Sequence, residues 1–495
     1  MISINKKYPF EKVSTMHKHE DRLMAVMAPL KLRDDEFLEF SNCLKEAKGI
    51  GVEAVTVDVW WGLVMQKRDD ARWDYYDRVF AEIEKAGLRI VPIMSFHRCG
   101  GGPGDDVNVP LPGWLSEVVA EANKTPGDLL YQSETGYESL NAIAPWVAEE
   151  APGLYDAMSG FIDGFLKKYK QELLRSLFPE INVSLGPTGE LRYPAYSAEE
   201  GWVYPHRGYY QCYSESARRS FLQWVRNPRH ACSWAAAFPD SEIRVPNGHL
   251  PPGSGARADS FVAQRLHCKP GYGQDFLAWY HQSLLNHGQR ILKDAIKVVK
   301  THCKDLSKDV AAPTLGVKIP GVHWQWRCTG VPRYAELTAG LIAARYCYVP
   351  DDGSDTGYED IFKMVKSVAA EAGWPVRVHF TALEMDDDAV DCSWPNDQEK
   401  TSMAFSLVNA VGRTAARFSV LLSGENALPD IASDDSPYDI RTWDYIRKAF
   451  DTGHFSGLTM LRLCRGNWDI DKESLRQFIR DYDTTTPGKR LVRKR

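Results

Sequence analysis

Eight short apolar runs separated by helical stretches constrain this chain more than any other feature. The runs are Leu23–Leu30, Ala54–Val59, Arg89–Met94, Ile181–Leu185, Thr314–Ile319, Val376–Phe380, Phe418–Leu422 and Gly457–Leu461. Most are continuously apolar rather than alternating, as parallel strands covered on both faces must be. Between them the apolar spacing turns helical: Val79, Phe80, Ile83 and Ala86 share one face of 76–86, and Leu277, Tyr280, Leu284, Ile291 and Ala295 share one face of 274–300. Further helices are expected over 35–48, 151–174, 334–346, 358–372, 398–411, 438–450 and 472–482. Eight strands alternating with helices predict an α/β fold, a (β/α)8 TIM barrel. An open doubly wound sheet would carry a Gly-rich phosphate turn after its first strand, where this chain reads APLKLRDD.

Two connections exceed simple turns, about 101–144 and about 191–273, the second rich in Pro, Gly and aromatics. Long ordered βα loops on a barrel form lids or a small subdomain over the active face. With no internal repeat or low-complexity linker, one domain over 1–483 is expected, followed by a solvated basic tail, 484–495. A net charge of −6 disfavours a nucleic-acid partner. No 18-residue apolar run is present, so no membrane partner is expected, and the chain is read as a monomer. Met1–Phe10 shows no apolar run behind its charges, which points to the cytoplasm, with a secreted, processed precursor as the alternative. Ten cysteines without a CxxC pair are expected as free thiols.

On a barrel, polar residues just past the strands gather on one rim. Here they are Asp58, His97, Asp105, Glu190, Lys318, His323, Thr381, Glu425, Asn426 and Arg462, interleaved with Trp60, Trp61 and Trp324. No nucleophile elbow and no HExxH motif accompanies them. Cys99 beside His97 is set aside as a thiol–imidazole pair, and Asp58 with His97 and a further carboxylate makes a poor metal set. Several carboxylates on an aromatic rim fit glycoside hydrolysis, which needs a protonated acid at the leaving oxygen and a carboxylate that attacks or activates water.

Ten collinear motifs then carry a resemblance: VDVWWG (57–62), SFHRCGG (95–101), GDDVNVPLPGW (104–114), GPTGELRYPAY (186–196), LLNHG (284–288), KIPGVHW (318–324), AELTAG (335–340), FTALEM (380–385), GENAL (424–428) and LRL (461–463). Together they resemble the beta-amylases, a glycoside hydrolase family of inverting exo-enzymes on starch, and LMAVMAPLK looks closer to the bacterial type. The resemblance implies removal of β-maltose from non-reducing ends of α-1,4-glucans, with Glu190 as general acid and Glu425 as general base. It also implies that Asp58 and His97 grip the terminal glucose, that Asp105 or Asp106, with Asp105 the better aligned, is the aspartate of a mobile lid, and that Thr381 is linked to the base. Lys318, His323, Asn426, Ala427 and Arg462 become contacts across the cleft. Glu384 is read as structural, and Asp58 with Arg462 could equally form an internal ion network.

The chain departs from the family pattern at Arg98, Gly102 and Pro103 in the lid, at Pro320, and at Ala382. No cofactor is expected. Relatives of the bacterial type can hold calcium, but no complete ligand set follows WWG, where Met65 stands in place of an acid. The chain ends soon after its eighth helix, so no starch-binding module is expected and soluble oligomers are favoured over granules. The alternative function is a non-catalytic maltodextrin sensor or scaffold.

Overall fold

The protein is described from a computed structural model. It covers residues 22–100, 105–205, 208–246, 261, 266–326, 333–343, 357–387, 402–427, 440–466 and 468–482. Gly102, Pro103, the acidic stretch at 430–435 and the basic tail lie outside the described residues.

Eight parallel strands close into a barrel: β1 (Leu23–Met27), β2 (Ala54–Trp60), β3 (Arg89–Ser95), β6 (Glu180–Val183), β7 (Thr314–Ile319), β8 (Val376–Phe380), β9 (Leu421–Glu425) and β10 (Gly457–Met460). Two more strands, β4 (Leu130–Gln132) and β5 (Glu138–Ile143), pair antiparallel outside it. Closure comes where β1 pairs with both β2 and β10, Ala25 standing opposite Ala54 on one side and Thr459 on the other. The expected TIM barrel is the observed fold. Every residue of β1 is buried, which is why such strands read as unbroken apolar runs.

The helices wrap the barrel with their apolar faces inward. In Asp74–Lys85 the buried residues Tyr76, Val79, Phe80 and Ile83 follow the 3–4 spacing of one helical face. The helix Phe37–Ile50 stops at Gly51, whose φ of 102° lies in the left-handed region that closes a helix end without steric cost.

Several expected boundaries are corrected: the helix expected over 334–346 ends at Thr338, and the one expected over 398–411 runs from Ala404 to Phe418. The seventh strand begins at Leu421, not Phe418, because the preceding helix runs from Ala404 to Phe418 and ends on Ser419 at φ 54°. An apolar Phe between helix and strand fits either, and only the left-handed serine marks the break. The helix expected over 151–174 divides at Tyr169, whose ψ of 36° separates Gly153–Lys168 from Lys170–Leu174.

The two long connections form one cap. The first holds a helix, Leu115–Glu121, and the β4–β5 hairpin; the second holds the helix Glu215–Arg226, opened by the Ser214 hydroxyl accepting from Ala217 N–H. A bridge between Gln132 and Cys212 joins them. Below, Trp146 stacks on Tyr193 at 5.5 Å and 11°, and Tyr193 stacks on Tyr280 at 4.1 Å and 25°. Each such pair contributes about 0.5–1.5 kcal/mol beyond its buried area.

Inside the barrel, β6 and β7 approach closely at Gly316. A Cβ built there would lie 1.5 Å from Asn182 Oδ1 and 2.6 Å from Glu180 Oε1. Gly316→Ala is therefore expected to destabilise the fold by about 1–3 kcal/mol through overpacking. Urea unfolding measures this, and a midpoint equal to that of the parent chain would contradict the packing described.

Candidate active site

The period-2 geometry of the strands aims alternate residues into the barrel, and the last of these reach its C-terminal mouth. There they line a cavity of about 530 Å³. Asp58, His97, Asp105, Glu190, Lys318, His323, Thr381, Glu425, Asn426, Ala427 and Arg462 all border it. The rim thus brings together all eleven residues singled out in the sequence, from seven strand ends and their loops.

Glu190 follows β6 and Glu425 ends β9, three strand steps apart in the ring of eight. At about 4.8 Å per step the two approach the cavity from well-separated parts of its wall, rather than from diametrically opposed strands. Lys318 on β7 connects them. Its carbonyl accepts from Leu191 N–H at 2.9 Å, fixing the backbone beside the acid, and its ammonium lies 2.5 Å from Glu425 Oε2. Burial alone would strip the Lys318 proton, but Glu425 and Glu190 outweigh it and hold the ammonium above the usual lysine range.

The Glu190 side chain is largely buried, 13% exposed. No second carboxylate is paired with it; its ion-pair partner is Arg192, Nε to Oε2 at 2.7 Å, and the Thr188 hydroxyl also donates to Oε2, at 2.9 Å. Both contacts occupy the same oxygen, so Oε1 is the oxygen placed to carry a proton.

His97 and His323 are neutral donors and acceptors. Burial, with Lys318 and Arg192 nearby, pushes His97 down to about 3, and its Nδ1 lies 2.9 Å from the Ser184 hydroxyl. Burial likewise pushes His323 down to about 4, and its Nδ1 lies 2.7 Å from the Ser402 hydroxyl. Asp58 accepts from the Ser95 hydroxyl at 2.9 Å and lies 4.0 Å from Arg462. Burial raises its carboxyl, against the pull of Arg462 and Ser95. This pair is at once an ion contact and part of the cavity wall.

Several residues act on the backbone. Asn426 clamps Leu461, accepting from its N–H at 2.8 Å and donating to its carbonyl at 3.1 Å, and so sets the segment that carries Arg462. Glu384, read as structural, is buried and accepts from Ala427 N–H at 2.7 Å. The Thr381 hydroxyl accepts from Gly321 N–H at 3.0 Å, which ties it to the loop after β7 rather than to Glu425. Asp105 accepts from Gly100 N–H at 2.9 Å, while Arg98 pairs with Glu199 at 3.2 Å across the cap. Burial and Asp105 push the Cys99 thiol up, leaving it inert. Among the described residues, no cluster of three His, Cys, Asp or Glu side chains is gathered as for a metal ion.

Aromatic rings flank the opening: Tyr196, Trp202, Tyr204 and Trp324 form a mutually packed group at the cavity edge. Sequence reading missed His379, which lines the floor, and Asn182 beside it. The signal was available in the strand period, since Arg377, His379 and Thr381 must share one face of β8.

Comparison with known proteins agrees with this geometry. Residues 25–481 match the family described as Glycosyl hydrolase family 14. The thermophilic beta-amylase of Thermoanaerobacterium thermosulfurigenes is 32% identical, over 94% of this chain and 74% of its own length. The beta-amylase of Bacillus cereus is 32% identical, over 88% of this chain and 70% of its own. The crystal structure of the catalytic domain of beta-amylase from Paenibacillus polymyxa superposes with a TM-score of 0.73 at 28% identity, covering 93% of this chain and 98% of that one. With the match spanning nearly the whole barrel, the chain belongs to glycosyl hydrolase family 14, the beta-amylase family.

Proposed function

We propose that this chain releases β-maltose from the non-reducing ends of α-1,4-glucans with inversion, Glu190 serving as general acid and Glu425 as general base. The observation that carries the reading is the shared cavity: the two carboxylates border one space from strands three steps apart, with Lys318 bound to both sides. Inverting pairs stand about 6.5–9.5 Å apart so that a water fits between base and anomeric carbon.

In this scheme Glu190 Oε1 gives its proton to the glycosidic oxygen as the bond to C1 breaks. Arg192 and Thr188 hold the other oxygen, so the carboxyl cannot rotate away. Glu425, its Oε2 2.5 Å from the Lys318 ammonium, takes a proton from the water that attacks C1 from the opposite face. The product is the β anomer. Asp105 and the cap residues Asn141, Trp202 and Tyr204 wall the cavity, and a walled cavity suits a chain end better than a mid-chain segment. Neutral His97 with Asp58 and Arg462 supplies both donors and acceptors for sugar hydroxyls.

Incubation with maltoheptaose, followed by polarimetry, tests the reading: β-maltose is expected, and an α product or a glucose ladder would reject it. Glu190→Gln and Glu425→Gln are each expected to lower kcat by about 10³-fold or more while sugar binding persists, and near-normal turnover in either would remove that residue from its role. Binding without turnover in the parent chain would instead favour a sensor. Asn426→Ala should release the Leu461 clamp and misplace Arg462, raising KM by about tenfold in steady-state assays. An unchanged KM would show that the clamp does not position the sugar site.

A further inference from the structure

Beneath the cavity floor lies a buried chain of charges that the scheme above leaves unused. Glu180 opens β6 and is 1% exposed; Arg377 and His379 share the inward face of β8. Arg377 Nε lies 2.8 Å from Glu180 Oε2, and His379 Nε2 lies 2.5 Å from Glu180 Oε1. The other ring nitrogen, His379 Nδ1, lies 3.6 Å from Glu425 Oε1. One imidazole thus stands between a buried carboxylate and the catalytic carboxylate.

We infer that Glu180 and His379 are positioning residues for the base: Glu180 holds His379 as an imidazolium whose Nδ1–H faces Glu425, keeping that carboxylate ionised and aimed. The inference rests on Glu425 being the base. A neutral imidazole that donates Nε2–H to Glu180 would turn a lone pair toward Glu425; the imidazolium instead places a positive N–H 3.6 Å from Glu425 Oε1, a charge contact longer than a hydrogen bond. Glu180 is fit to hold it. Burial pushes its carboxyl up, but His379 and Arg377 outweigh burial and keep it below the usual range, so the anion persists inside the barrel.

Other charges face the same group from the surrounding strands. Lys318 on β7 holds Glu425 Oε2, and Arg377 on β8 shares Glu180; both oppose a further positive charge. Asp58 on β2 and Glu190 after β6 reach the cluster through Lys318, while Arg462 after β10 is paired toward Asp58. Glu180, in contact with Nε2, and Glu425, 3.6 Å from Nδ1, are the charges that favour its second proton. Glu425 is then braced at each oxygen by a cation, Lys318 on one and His379 on the other.

The test is the pH dependence of kcat/KM on maltoheptaose for Glu180→Gln, His379→Asn and the double variant, with circular dichroism confirming the fold. Losing the imidazolium makes Glu425 easier to protonate, so the acid limb is expected to move upward by about one pH unit or more, with little change in KM. The double variant should shift no further than the larger single shift, because both changes remove one charge. A structural role alone would lower the folded fraction and leave the limb in place. An unmoved or downward-moving limb in folded variants overturns the inference.

Nitrogen-15 spectra of the histidine-labelled parent protein decide the matter without any variant. The imidazole connected in sequence to Phe380 should carry protons on both nitrogens at about pH 6, whereas His97 and His323 stay neutral. A neutral His379 ring overturns the proposal. If the parent chain released no maltose, the functional reading would fall, and the same spectra would still report the charge on His379.

Discussion

The ammonium of Lys318 is the contact on which the site depends. It sits in β7 between the strands that deliver the two carboxylates, touching Glu425 with its side chain and the segment after Glu190 with its backbone. A buried carboxylate without a cation costs several kcal/mol, and Glu425, 2% exposed, has the Lys318 ammonium 2.5 Å from its Oε2. The same lysine links the two sides covalently: the carbonyl that holds the segment after Glu190 and the ammonium that holds Glu425 belong to one residue. Electrostatic need and geometric control thus meet in one side chain.

The barrel interior follows from this requirement. An ordinary TIM core is filled with branched apolar side chains, but the inward faces here also carry Thr56 and Asp58, Ser95, Glu180 and Asn182, Lys318, Arg377 and His379, and Ser423 and Glu425. The polar set is held by mutual contacts: Arg377 Nη1 donates to Ser423 and Ser456 at 3.0 and 2.9 Å while its Nε faces Glu180. Buried polar groups survive only when partnered, and a partnered set is rigid. The rigidity suits a base whose aim must be kept.

Much of this was legible in the sequence. Buried parallel strands announce themselves as apolar runs, and the residues just beyond them had to share a rim, so the barrel and the cavity lining could be read before any coordinates. Motif resemblance added roles that spacing could not supply. The reading weakened where one residue serves two patterns: Phe418 fits the end of a helix as well as the start of a strand. It failed where a charge hides inside an apolar run, as His379 does in VRVHF and Glu180 does at the head of β6, because their partners lie on other strands. Arg192 beside Glu190 was visible as a neighbour, but which oxygen it holds is a matter of rotamer, not of spacing.

One further consequence comes from the stack of Trp146, Tyr193 and Tyr280. Tyr193 stands three residues after the acid, and its hydroxyl donates to the carbonyl of Tyr280 at 2.9 Å. Glu190 is therefore moored to the outer wall of helices, while Glu425 belongs to the inner staves. The gap in which the hydrolytic water must stand is a joint between two layers of the molecule. Remodelling of the peripheral aromatic pile would retune that gap and leave every inner stave untouched.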